Sequence, residues 1–507
     1  MVFFRRSFLS LCLFCYLNLG FSQSQVNTDR PIQKSDFTPY HSYLSSDRLE
    51  GREVGTDGSD SASAYIVKQM IHSGLLPFFK ENDSFSYFQP FDVLKQSPKD
   101  IALSVISGNH SDTVTLNAEF AEENGFFSSP FKGAFPCVFC GYGIESETIS
   151  YNDYETLDVK GKVVLVLDRY PGHWDTASLA FQRFHVLKPD ETIDLESKIK
   201  TAEEHGASCI ILIKEKEEQS ENTSSYLDAR YYLLDGCSSS IPCLIIEKED
   251  IYGLLSLNGS DLMKMEGFMA KKCKPSVFPI KRNTIVIDLG FDTDTIHAKN
   301  IAGKYPGKDS SHLFIVGAHY DHLGKRGSMI YNGADDNASG ASGVLCLAKV
   351  LSESGFIAKQ SVVFACWDAE EKGLLGSRFF VDSFDGNYSN ITHYINMDMI
   401  SRSAPEDTLG CILSIGTRPE DDFLRQTAER SNSNLTAPFT LDLWDVTGHS
   451  GSDYGPFKDK HIPVMTFFSG FHDDYHSPAD VYSKVDSDKM LRVLRLVYGI
   501  MNGMLLF

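Results

Sequence analysis

Basic residues are scarce: Lys and Arg number 47 against 68 Asp and Glu in 507 residues, a formal net charge of −21. That deficit excludes a nucleic-acid binder, which needs a basic face to meet phosphates, and disfavours adsorption to anionic lipid. Beyond the N-terminus no segment reaches the roughly eighteen uncharged apolar residues of a membrane span, so the mature chain is expected to carry no integral membrane segment. No repeat of fixed period occurs. Cys137 and Cys140 form a Cys-x-x-Cys without a second pair, which argues against a zinc ribbon and leaves a local disulfide or two small apolar residues of a strand. Cys237 and Cys243 are a second candidate bridge.

What is present fits an ordinary globular chain: 42% hydrophobic and 23% charged residues, too long for one core and suited to two or three domains. Residues 1–22 read as an export signal, with Arg5 and Arg6 before the apolar run Ser7 to Phe21 and small Gly20 and Ser22 before Gln23. The expected location is therefore secreted or periplasmic. Eleven cysteines include Cys12 and Cys15 of that signal, so nine remain and at least one stays unpaired or pairs outside the chain.

Along the chain, Phe37 to Phe79 has helical apolar spacing, interrupted by a loop around Gly51, Gly55 and Gly58. Residues 86–118 read as short alternating strands. Residues 130–260 carry β-branched runs at 163–167, 210–213 and 244–246, separated by a helix near Glu191–His205. From about 275 onward, strands alternate with helices: strand 313–317, helix 341–351, strand 361–366, strand 394–398, helix 423–431 and strand 463–468. This pattern predicts an α/β fold with a mainly parallel sheet covered by helices on both faces. Ligands of such sheets lie beyond the carboxyl ends of the strands.

Polar residues gather at those ends. His319 and Asp321 share a face in an extended chain, so Asp321 could hold one imidazole nitrogen while the other binds a metal. Asp335 and Asp336 lie in a glycine-bounded loop before a helix, where capping explains one acid more easily than two. Asp368, Glu370 and Glu371 follow an apolar strand and would repel one another without a cation. Asp398 sits among apolar residues, and Tyr475 and His476 follow the last strand. Imidazole and carboxylate without thiolate suit zinc, and also manganese or cobalt.

The ordered set His319-x-Asp321, Ala334 to Gly340, Glu370-Glu371, Asp398 and Tyr475-His476 resembles the secreted di-zinc aminopeptidases, relatives of glutamate carboxypeptidases and transferrin-receptor ectodomains. Leu49 to Arg52, with Gly55 and Gly58, is similar to the amino-terminal stretch of that family. Gly141 to Ile144 and Leu157 to Val164 are similar to its inserted protease-associated domain. The resemblance implies a mixed, mainly parallel sheet sandwiched by helices. It divides the chain into the signal at 1–22, a first catalytic part at 32–118, the β-rich insert at 119–265 and the metal-binding part at 266–507. Two Zn2+ are implied, with Asp335 bridging them, His319 and Asp398 completing one ion, and Glu371 and His476 the other. Glu370 would be the general base and Tyr475 would stabilise the oxyanion. A cis peptide is implied between Asp335 and Asp336.

The expected function is that of a metallo-aminopeptidase acting on peptides with a free N-terminus. A carboxypeptidase-type or N-acyl amino acid hydrolase is the alternative, although no Arg cluster for a substrate carboxylate lies near the motifs. A non-catalytic binding ectodomain would be expected to have lost ligands, and a glutaminyl cyclase to lack the insert. Trp444 reads as an ordinary half-buried aromatic, with a side-chain pocket as its alternative role.

Overall fold

A computed structural model describes residues 31–506, apart from 82–83, 108–112, 117–118, 121–130, 186–192, 215–230, 235–240 and 250–258. The segment expected to be an export signal and Cys237 lie outside the described residues. Among the described residues no helix is long and apolar enough to cross a membrane.

The spine is one mixed sheet. From its edge the neighbours are Thr440–Asp445, Ile412–Thr417, Val464–Phe468, Ile391–Met397, Asp309–His319, Gln360–Trp367 and Val277–Tyr305. Pairing within this half is parallel except between the second and third strands and between the last two. Strand alternation sorts the side chains into two layers. Phe314, Val316, Val362 and Phe364 face a core shared with the helices Asp57–His72, Ala338–Ser354 and Ser487–Leu506. Leu313, Ile315, Val363 and Ala365 face a second core, built with Phe380 and Phe457 from the helices Leu375–Asp382 and Tyr454–Asp459. The N-terminal part packs on the same sheet, since Phe37, Leu44 and Ile66 join the first core.

The expected short strands over 86–118 are replaced mainly by one 20-residue strand, Phe88–Ser107. It pairs antiparallel with the 29-residue strand Val277–Tyr305, from Phe88 opposite Ile301 to Ser107 opposite Asn283. Ser97-Pro98 looks like a break in the sequence, but a register shift opposite Gly290 and Phe291 absorbs it and pairing resumes on both sides.

The same long strand joins the region expected to be an insert to the sheet, through antiparallel pairing with Phe131–Cys140. Val163–Leu167, Cys209–Lys214 and Cys243–Glu247 continue parallel to that strand. All five residues of Val163–Leu167 are buried, because both faces are covered. The expected helix appears as Leu195–Glu204. Cys137 and Cys140 are free thiols buried in their strand, so the local-disulfide alternative is not realised. The sequence pattern missed the strands Ile412–Thr417 and Thr440–Asp445.

Candidate metal centre

Three strands of this half of the sheet end at or just before ionisable side chains. Asp309–His319 ends on buried His319, Ile391–Met397 runs directly into Asp398, and Gln360–Trp367 leads through Asp368 to Glu370 and Glu371. The loop before the helix Ala338–Ser354 supplies Asp336, and the turn after Val464–Phe468 supplies Tyr475 and His476.

These residues converge on Asp336. Its Oδ1 lies 3.4 Å from His319 Nε2, and its Oδ2 lies 3.1 Å from His476 Nε2. His319 Nε2 is also 3.4 Å from Asp398 Oδ1, and His476 Nε2 is 3.3 Å from Glu371 Oε2. Ligand atoms of His319, Asp336 and Asp398 all fall within 4.8 Å of one another, as do those of His322, Asp336 and Glu371.

Asp335, expected in the bridging position, faces elsewhere. Its Oδ1 accepts hydrogen bonds from Ser401 N–H at 2.7 Å and Ser401 Oγ at 2.8 Å, and its Oδ2 lies 3.6 Å from His472 Nε2. Successive residues of this tight loop project to opposite sides, so a one-residue slip exchanges the inward acid for the outward one. The cis peptide is likewise one residue later, between Asp336 and Asn337. Asn337 caps the following helix, accepting Gly340 N–H at 2.8 Å while its amide donates to Met397 O at 3.0 Å. Gly333 has φ +53°, and a Cβ there would meet Asp336 O at 1.9 Å, so the loop closes only around glycine.

Asp321 also differs from expectation. His319 Nδ1 is nearer the Asp321 carbonyl oxygen (3.3 Å) than its carboxylate (3.8 Å). The carboxylate instead accepts the N–H groups of Glu370 at 3.0 Å and Glu371 at 3.3 Å. Asp368 is turned out of the cluster, satisfied by Lys299 N–H, Ala369 N–H and the Tyr320 hydroxyl.

Four participants carried no assigned role in the sequence reading. His322 Nδ1 lies 2.6 Å from Glu371 Oε1, while its Nε2 is buried with no hydrogen-bond partner among the described residues. Ser452 Oγ donates to Asp398 Oδ2 at 2.6 Å. Asp453, fully buried, is pushed up to about 7 by burial. Arg52, within the family-like N-terminal stretch, is buried and donates to the carbonyls of Leu44, Tyr320, Asn332 and Gly333. Motif spacing marks ligands, and these four act through tertiary contacts that no spacing records.

The electrostatics favour a cation. Burial opposes charge on His319, but the carboxylates of Glu370, Asp398 and Asp336 outweigh it and push its pKa well above the imidazole range. Burial, with the charges of Glu371, Asp453 and Asp398, holds the Glu370 carboxyl well above the usual carboxylate range. Glu371 is held low in spite of burial, by His322 and His476. The guanidinium of Arg52 is committed to four carbonyls. The carboxylates Asp336, Glu370, Glu371 and Asp398 gather around the imidazoles of His319, His322 and His476, with Ser452 also on Asp398, a donor set that fits hard or borderline divalent ions.

The cluster floors a cavity of about 200 Å3 whose walls include Met399, Trp444, Tyr454, Phe468 and Phe471. Trp444 therefore belongs to a pocket wall.

Residues 300–501 match the model of peptidase family M28. Leupeptin-inactivating enzyme 1 of Streptomyces exfoliatus is 30% identical over 172 residues, covering 34% of this chain and 36% of that protein. The matched stretch thus spans about a third of that relative's length. A probable lipoprotein aminopeptidase of Mycobacterium tuberculosis is 24% identical over 432 residues, covering 83% of this chain and 70% of that protein. An aminopeptidase from Aneurinibacillus sp. strain AM-1 has a similar fold, with TM-score 0.58 at 19% identity over 94% of this chain and 95% of that one.

Proposed function

From the premise that residues 300–501 belong to peptidase family M28, we propose that this chain is an exported zinc aminopeptidase. The observation that carries the reading is the position of Asp336, with one carboxylate oxygen toward His319 and the other toward His476. His319, Asp336 and Asp398 would hold one ion, and Asp336, Glu371 and His476 the other. Zinc is the expected metal, and manganese or cobalt accept the same donors. Held by these residues, such ions would supply Lewis-acid polarisation of a scissile carbonyl and lower the pKa of water toward neutrality.

The protein's own groups do the rest. Glu370 takes the proton from the attacking water and delivers it to the leaving amine. Its raised pKa suits a carboxyl that must hold a proton between those two events. Asp321 fixes the backbone of the 370–371 turn, so base and ligand keep their separate directions. Tyr475, at the rim beside His476, donates its hydroxyl to the developing oxyanion. The substrate's free α-amine meets surplus carboxylate charge at the cavity floor, which restricts cleavage to the chain end. The apolar wall of Met399, Trp444, Phe468 and Phe471 receives the first side chain, so large apolar N-terminal residues are preferred. In this reading residues 1–22 direct export, and residues 119–265 are an inserted protease-associated domain that restricts access or binds longer substrates.

Hydrolysis of an aminoacyl-anilide panel, with and without a chelator, tests the proposal. Leucyl and phenylalanyl substrates should exceed glycyl ones, and chelation should abolish all activity. A metal-free preparation that remains fully active would overturn it.

A further inference from the structure

Three consecutive backbone amides of the loop that carries Asp336 end on one side chain and its own carbonyl. Ala334 N–H donates to the Asp480 carbonyl oxygen at 3.2 Å. Asp335 N–H donates to the Asp480 carboxylate, 3.0 Å from Oδ2 and 3.2 Å from Oδ1, and Asp336 N–H donates to Oδ2 at 3.2 Å. Asp480 is fully buried. A carboxylate accepting several N–H groups makes charge-assisted bonds, about twice as strong as neutral ones.

The position of Asp480 in the chain gives this contact its consequence. It lies four residues after His476, at the end of a segment tightened by hydrogen bonds from Ser477 N–H to Asp474 O (3.1 Å) and Asp480 N–H to Ser477 O (3.2 Å). Arg402, shortly after Asp398, reaches the same segment, with Nη2 2.7 Å from Asp474 Oδ2 and Nη1 3.5 Å from Asp480 Oδ1. One buried carboxylate therefore ties together the loops that bear Asp336, Asp398 and His476. Asp321 does the equivalent for Glu370 and Glu371, so each half of the ligand set has its own buried aspartate gathering backbone amides.

We infer that Asp480 is a positioning residue which, by holding the amides of 334–336 against the turn that carries His476, sets the distance between these two ligands and hence the metal affinity. The inference rests on the metal reading above. An alternative role, in which Asp480 merely satisfies buried amides, would affect folding but not affinity.

The test is zinc binding by the full chain, measured by competition with a chromophoric chelator, with thermal unfolding of the zinc-free proteins alongside. Asp480→Asn keeps an acceptor oxygen but loses the charge. Its zinc affinity should fall by about 10- to 100-fold, the usual effect of losing an outer-shell partner, while zinc-free unfolding stays near that of wild type. Asp480→Ala should lose more, and if it fails to fold, Asp480→Asn decides. Unchanged zinc affinity in Asp480→Asn, with wild type binding zinc normally, would overturn this inference and leave the metal reading standing. A wild-type chain that takes up no zinc would overturn both.

Discussion

The ring of Tyr475 stacks on the imidazole of His476, with centroids 3.8 Å apart and planes inclined by 21°. The side chain assigned to the oxyanion and the one assigned to metal in the proposed function are thus packed as a unit, on a turn where His476 itself has φ +51°. Tyr475→Phe keeps the stack and removes only the hydroxyl. Zinc content should be unchanged, while kcat falls by about 10²–10³-fold, the loss typical of one oxyanion donor. A variant that loses zinc in proportion to activity would show instead that the hydroxyl supports the ligand.

The neighbouring acids Asp335 and Asp336 should separate cleanly. Asp336→Asn removes the carboxylate shared by both histidines and should abolish binding of at least one ion, with loss of activity. Asp335→Asn should retain metal, because the amide oxygen can still accept from Ser401. Burial and the nearby Asp480 push Asp335 up to about 7, so its neutral form already resembles an asparagine. Metal analysis of the two purified variants checks this, and reversed phenotypes would restore Asp335 as the bridge.

That pair also marks the limit of what the sequence discloses. The strands that end at His319, Asp368 and Asp398 were legible because apolar runs buried on both faces stop abruptly at charge. In the loop 333–340, two acids sit side by side with no periodicity to say which turns inward. The choice is made by contacts from residues far along the chain, Ser401 and Asp480 on one side and His319 and His476 on the other. His322 and Arg52 received no role for the same reason, since their partners lie 49 and up to 281 residues away. The long strand Phe88–Ser107 was missed because it carries Pro90 and Pro98, yet its pairing runs past both, with a register shift beside Pro98.

Glu370 and Glu371 are adjacent but differently held. Glu371 contacts His322 at 2.6 Å and His476 at 3.3 Å, whereas the side chain of Glu370 comes no nearer to His319 than 3.9 Å. Glu370→Gln should keep both ions and lower turnover by about 10²–10⁴-fold, the range for loss of a general base. Glu371→Gln should weaken one ion and lower activity through metal loss, so added zinc restores part of it. Zinc titrations of activity distinguish the two, and rescue of Glu370→Gln by zinc would contradict its assignment as base.

Zinc uptake should depend on pH in a direction set by the histidines. Burial opposes charge on His476, but hydrogen bonds to Asp336 and Glu371 outweigh it and push its pKa up to about 10. His319 is likewise held well above the imidazole range, against burial, by Glu370, Asp398 and Asp336. Near neutral pH, without metal, both rings therefore carry the proton that a ligand nitrogen must give up. Zinc must displace those protons, so binding releases them and affinity rises with pH, by about one decade per pH unit for each proton displaced. Below neutrality the protons compete more strongly, and metal should be lost before the fold is. Calorimetry of zinc binding in buffers of different ionisation enthalpy counts the protons released. Affinity independent of pH, with no net proton release, would mean that the imidazoles stand neutral before metal arrives and that the carboxylates around them do not hold their protons.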